Sequence, residues 1–242
     1  MIKLFRNIRR NLLNEGKTTK YLKYAIGEII LVVIGILIAL SINNWNENRK
    51  QNKQIIKGLS EVRENLIGDS LAIVKTLKLK REDIKIQNQV IQLLTNDKPL
   101  DSTINEDLGR IMIARKIKLI PNGYGLLKNL GLERIENLDL RDNLIEYYEI
   151  SIDAIETDTN DDLYEFINTF LPYVRTHFSD WKYVEYGIPL DYVKLKNDDS
   201  FKTALKINLG NAESTLLMLN NGLENIKTLI PLVDKYIPKT ND

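Results

Sequence analysis

The 242-residue sequence has no cysteine and one histidine. The first absence excludes disulfides, thiolate-held metals and a cysteine nucleophile, and removes any clue to the redox compartment. One imidazole, His177, cannot build a multi-histidine zinc site, and within TFLPYVRTHF it reads as a helix-surface or packed aromatic. A glycine-rich phosphate loop, HExxH and GxSxG are all missing as well. The carboxylate pairs Asp161/Asp162 and Asp198/Asp199 stand where helices are expected to begin, and the helix dipole explains them without chemistry. Asp158, Asn160 and Asp162 imitate the opening of a calcium loop, but Leu163 replaces the turn glycine and Thr169 stands where a bidentate Glu belongs. These gaps point away from an enzyme, and no cofactor or metal is expected.

What the chain does have is one long apolar run. AIGEIILVVIGILIALSINNW, residues 25–45, would span about 31 Å as a helix, the thickness of a bilayer's hydrocarbon core. A transmembrane helix is therefore expected, with the lipid bilayer as the first partner. Lys3, Arg6, Arg9, Arg10, Lys17, Lys20 and Lys23 precede it, so the positive-inside rule keeps the N-terminus cytoplasmic. Trp45 suits the far interface, where an indole keeps its ring apolar and its N–H wet. Three parts follow: a basic cytoplasmic or interfacial segment (1–24), the span (25–45) and an extracytoplasmic domain (46–242).

Other readings of this end stay open. Ala39 and Ser41 have the spacing of a signal-peptidase site behind an apolar run, and Arg9–Arg10 echo a twin-arginine signal. Ile2, Leu4, Phe5, Ile8 and Leu12 share a helical face among arginines, as an in-plane amphipathic anchor would, unless they belong to a flexible charged tail. Within the span, Gly27, Gly35 and Ala39 fall on one face where a second helix could approach. Glu28 is an intramembrane ionisable group, close enough to the cytoplasmic end to snorkel into water.

The formal charge of +1 conceals a split of about +6 before the span and about −4 after it. An acidic outer domain argues against nucleic acid as a partner, and the basic end suits anionic headgroups.

The segments IKLFRNIRRNLLNEGKTTKYLKYAIGEIILVVIGILIALSINNWNENR (2–49) and GYGLLKNLGLERIENLDLRDNLIEYY (123–148) resemble an uncharacterised family of small single-span Bacteroidota membrane proteins, a domain of unknown function. The resemblance implies an inner-membrane protein facing the periplasm. It brings no reaction, ligand or catalytic residue with it.

Beyond Trp45 the periodicity is helical, giving an all-α expectation: an N-terminal transmembrane helix, then an extracytoplasmic antiparallel helical bundle with long first and last helices. Ile55, Leu59, Val62, Leu66, Ile73, Leu77, Ile84 and Ile91 predict a first helix continuing to about Thr95, and Pro99 ends it. A return helix is expected from Asp101 or Ser102 to about Leu119, a short helix around Tyr124 stopping at a left-handed Gly131, another capped by Asn137, and another from about Thr159 to Phe178. From Leu205 to Ile237, leucines and isoleucines alternate spacings of four and three, a seam that wants a partner helix within the chain or in a homo-oligomer.

Aromatics crowd 164–201. The stretch 183–196, with Gly187 and Pro189, reads as an extended loop or weak hairpin. Trp181, Tyr183, Tyr186 and Tyr192 are the candidate partner-binding residues, unless these rings simply fill the core. The leading expectation is a periplasmic interaction or scaffold domain that meets a protein partner or a second copy. The alternative is a ligand-sensing domain with a small molecule between its helices, signalling through a membrane partner.

Overall fold

A computed structural model describes residues 18–237, so the amphipathic pattern at residues 2–12 lies outside the described residues. The protein is 81% helical with one small hairpin, and the all-α expectation holds at that level. The chain divides into two units, one ending at Gln54 and the other beginning at Ile55.

One helix, α1 (Thr18–Thr95), carries the chain through both units. In the first unit its large apolar side chains from Ile26 to Ile42 are all exposed. Among the described residues it is the one helix long and apolar enough to cross a membrane. In the second unit every third or fourth residue turns inward, starting at Leu59, Val62, Leu66 and Ile73.

After α1, Asp101 caps a 3₁₀ turn (Ser102–Ile104), accepting from the Thr103 N–H at 2.9 Å, and α2 (Asn105–Leu108) follows. The expected return helix to Leu119 does not form. Residues 110–121 instead run as a strap without helix or strand, burying Ile111, Ile113 and Leu119 while Lys116 and Lys118 stay exposed. Side chains of α1 hold it in place. Gln87 accepts from the Met112 N–H (2.8 Å), Asp69 from the Ile120 N–H (3.0 Å) and Asn65 from the Gly123 N–H (3.0 Å). The two length scales agree: roughly 22 helical steps from Asn65 to Gln87 cover about 33 Å, and roughly 11 extended steps from Met112 to Gly123 cover about 35 Å. A helical strap would reach half as far and leave those acceptors unmet.

The chain then forms α3 (Asn122–Leu130), a 3₁₀ turn (Leu132–Arg134) and α4 (Leu138–Ile145), the last capped by Asn137 at 2.7 Å as expected. Gly131 does end α3 with a positive φ of 93°, but its ψ of 111° lies outside the left-handed helical well. From Leu138 to His177 the backbone is helical without a break, through a π turn (Glu146–Ser151), α5 (Ile152–Glu165), a second π turn (Phe166–Phe170) and α6 (Leu171–His177). The new helix start expected near Thr159 is absent, because its polar residues bond elsewhere. The Thr159 hydroxyl donates to the Ile155 carbonyl at 2.8 Å, and Asp158 accepts from the Ser214 hydroxyl at 2.8 Å.

Next comes an antiparallel hairpin, β1 (Phe178–Lys182) and β2 (Tyr186–Pro189), with Trp181 opposite Gly187 and Val184 at φ 63° in the turn. Asp191 caps α7 (Tyr192–Asn197), and Asp198 caps α8 (Asp199–Asp234). The partners of α8 on α1 descend as its own numbers rise, from Gln87 beside Leu205 and Asn208 to Arg63 beside Asp234 at 2.6 Å.

The second unit holds two apolar clusters. One gathers Leu59, Leu66 and Ile73 with Leu140, Tyr147, Ile155, Leu219 and Val233; the other gathers Val90 and Leu94 with Leu108, Phe170, Leu195, Phe201 and Leu205. Between them lies a layer of buried polar side chains.

Candidate functional site

The polar layer grows from α1. Lys80, Asp83 and Gln87 continue the inward spacing of Ile73 and Leu77, and all three are buried. The Lys80 ammonium meets the Asp162 carboxylate of α5, both residues 1% exposed, and the Thr215 hydroxyl of α8 donates to the same Asp162 oxygen at 3.1 Å. Among the described residues, Asp162 Oδ1 has no hydrogen-bond partner. Burial pushes the Asp162 carboxyl up, and the neighbouring ammonium pulls it back toward the ionised form. Asp83 grips the Arg115 guanidinium through two bonds, one of 2.8 Å, and so ties the strap to α1. Gln87 joins three elements: it accepts from the strap at Met112 and donates to the Leu205 carbonyl (2.8 Å) and Asn208 (3.1 Å) of α8. Met112 sits at φ 52°, a strained value for a long side chain, held by that bond.

A second polar contact reaches into the first apolar cluster. Asp69, 1% exposed, accepts from the Tyr147 hydroxyl at 2.9 Å and from the strap at Ile120. Burial raises the Asp69 carboxyl, and its two donors act against the rise. Tyr148 stacks on Tyr124 at 4.7 Å, and its buried hydroxyl has no partner among the described residues.

Lys80, Asp83, Gln87 and Asp69 were not singled out in the sequence, which placed Ile84 and Ile91 on the inward stripe; both are only half-buried, while Lys80, Asp83 and Gln87 are inside, and Asp162, expected at a helix start, is buried against Lys80 in mid-helix. The available signal was the unbroken three-four spacing through polar positions. α8 repeats the lesson. Phe201, Asn208, Thr215, Gly222 and Leu229 recur every seven residues and all are buried, although three of them carry no apolar bulk.

The residues expected to bind partners fall out differently. Trp181 lies half-buried against Phe166 (6.2 Å) and Phe170 (5.9 Å) of the second π turn, and Tyr183 meets Phe166 at 5.6 Å. These two are brought together. Tyr186 instead donates to Asp180 at 2.9 Å, and Tyr192 donates to Asn105 at 2.8 Å. His177 stacks on Tyr173 at 3.9 Å at the end of α6. Beside the same π turn, an open cleft of about 510 Å³ is lined by Glu165, Thr169, Asp199, Ser200 and Ala204. It shares Thr169, Ser200 and Ala204 with an apolar cavity of about 140 Å³ reaching Met112, Tyr173 and Phe201.

In the first unit, a side chain added at Gly27 or Gly35 would meet none of the described residues within 4 Å, and Ala39 is exposed on the same helix. Glu28 is half-buried, and Trp45 is exposed with the Arg49 guanidinium 5.7 Å from its ring centre.

Together these features define a predominantly helical protein with one exposed apolar helix and an ordered helical unit built on the same α1. The profile of a family of unknown function, DUF6090, matches residues 28–152, more than half of the chain, and the protein belongs to that family. The matched range takes in most of the apolar run, the strap and the segment 123–148. No curated protein and no solved structure matches the chain.

Proposed function

We propose that the protein is a single-pass inner-membrane protein with a cytoplasmic N-terminus, whose second unit is a periplasmic antiparallel helical bundle acting as a non-enzymatic interaction or scaffold domain. The observation that carries this reading is the apolar belt from Ile26 to Ile42, exposed on every side of α1. A contiguous apolar surface of that size calls for lipid around it. The excess of Lys and Arg before the belt sets the direction. The test is a tag fused after Asp242 in cells stripped of their outer membrane: added protease should remove it, and a tag that stays protected overturns the orientation. Partner capture by crosslinking in native membranes tests the scaffold role.

A ligand-sensing domain is the second reading, favoured by the cleft and cavity between the second π turn and α8. π turns recur at functional sites, and the strained Met112 reaches the cavity wall. A ligand seated there would raise the thermal midpoint of the protein.

A further inference from the structure

The apolar cavity beside the second π turn is held open by walls that are tied down elsewhere. Tyr173 of α6 stacks on Phe201 of α8 at 4.5 Å and donates its hydroxyl to Asp198 at 2.8 Å, while Phe170 packs edge-on against Trp181 at 5.9 Å. Met112 of the strap, the remaining large wall, is fixed by the Gln87 bond that holds its φ at 52°. Collapse of any of these side chains into the space would break one of those contacts. The volume, about 140 Å³, is that of one ring: apolar cavities of about 150 Å³ stay dry and take benzene.

The chemistry changes where the cavity opens into the cleft. Thr169 and Ser200 line both spaces, and neither hydroxyl has a hydrogen-bond partner among the described residues. The charged residues lining the cleft, Glu165 and Asp199, are both acids. Asp199 is shared with Lys202 at 2.8 Å, whereas the half-buried Glu165 has no cation within 4 Å among the described residues. Glu165 and Thr169 stand four positions apart, on one side of the helical run. The positive end of α8 would draw an anion to this mouth, but Asp198 already answers it, accepting from the Phe201 N–H at 2.9 Å. What remains is a ring-sized apolar hole rimmed by one carboxylate and two hydroxyls.

We propose that this site binds a small primary amine carrying one ring-sized apolar group, with the ring in the cavity and the ammonium at its mouth. The ring fills space beside Phe170, Tyr173 and Phe201, where aromatic faces and edges receive it. An ammonium has three donors and no acceptor, and Glu165, Thr169 and Ser200 offer it three acceptors, one of them charged. A carboxylate in the same place would meet Glu165 with like charge, and an alcohol would leave that charge without a counterion. A polyamine without a ring would leave the cavity empty. The bound amine touches the strap, the π turn and α8 together, three elements otherwise joined through Gln87 and the second apolar cluster. The proposal deepens the ligand-sensing reading and rests on it.

The test uses the full-length chain in phosphatidylcholine nanodiscs, with empty nanodiscs as the blank, and phenethylamine as the probe, read by ligand-observed NMR. The expected result is a Kd of about 1 mM or tighter for phenethylamine, and binding at least about tenfold weaker for 2-phenylethanol, which keeps the ring without the charge, and for 3-phenylpropionate, which reverses it. Glu165→Gln should weaken phenethylamine about tenfold and leave 2-phenylethanol unchanged, a split that a misfolded variant would not give. Ala204→Leu, which fills the space where cleft and cavity join, should abolish binding of the amine. Phenethylamine that fails to bind, that binds no more tightly than 2-phenylethanol, or that binds either variant as well as wild type overturns the proposal. If the alcohol binds as tightly as the amine and loses its site in Ala204→Leu, the amine assignment falls and the sensing reading stands on a neutral ligand. If none of the three probes binds or raises the thermal midpoint, both fall together.

Discussion

Single residues carry an unusual burden because the buried polar groups are few and each joins several elements. Lys80→Met leaves the Asp162 carboxylate in the core with only Thr215, and should destabilise the second unit by about 3 to 5 kcal/mol. Lys80→Met with Asp162→Leu should recover much of that loss, since a packed apolar pair needs no desolvation of charge. Urea unfolding of the two variants measures the difference. Asp69 titrates in the other currency, pH. Its folded carboxyl is raised, so the fold binds that proton more tightly than the unfolded chain does. Stability from this group is full below the unfolded carboxylate range and is lost as pH rises through the raised value. Asp69→Asn keeps an acceptor for Ile120 and removes the ionisation. Its stability relative to wild type should therefore climb from acid toward neutral pH and then level off, as thermal midpoints across pH 3 to 8 would record.

At the scale of elements, the strap and the helix beneath it depend on close approach. A side chain at Gly123 would lie 2.4 Å from the backbone nitrogen of Val62, so Gly123→Ala should push α3 off α1 and lower stability by about 1 to 3 kcal/mol. On α8, Leu219→Ala should remove about 2 to 5 kcal/mol because Leu219 is fully buried, and Leu217→Ala, at an exposed position, should change stability by less than about 0.5 kcal/mol. Chemical denaturation distinguishes the pair. α1, the Asn137 cap and the α8 seam were legible in the sequence, because long amphipathic spacing and capping chemistry are local signals. The strap was not. Its isoleucines fit a helical spacing as well as an extended one, and the decision came from distant acceptors, Gln87, Asp69 and Asn65, that no local window contains. The merged run from Leu138 to His177 escaped for the same reason, since Asp158 and Asp162 look like caps until Ser214 and Lys80 are beside them.

At the scale of the whole molecule, the sequence was most explicit about the first unit and least about the second. Hydropathy alone located the apolar helix, whereas the polar layer that divides the second unit into two clusters follows from contacts across more than a hundred positions, as between Gln87 and Leu205. If the face bearing Gly27, Gly35 and Ala39 pairs in the bilayer, Gly35→Leu should reduce crosslinking between spans severalfold; equal yields would remove that face from any assembly.

The spacing of these contacts also dictates when the fold can close. Lys80 leaves the ribosome 82 positions ahead of the carboxylate that neutralises it, and Gln87 precedes its α8 carbonyl by 118. Until that last stretch is made, α1 must wait with its inner stripe of leucines bare and its ammonium hydrated. Synthesis thus passes through a prolonged interval in which the nascent rod invites chaperones, and an arrest peptide that stalls translation before Thr215 should trap it there, open to protease.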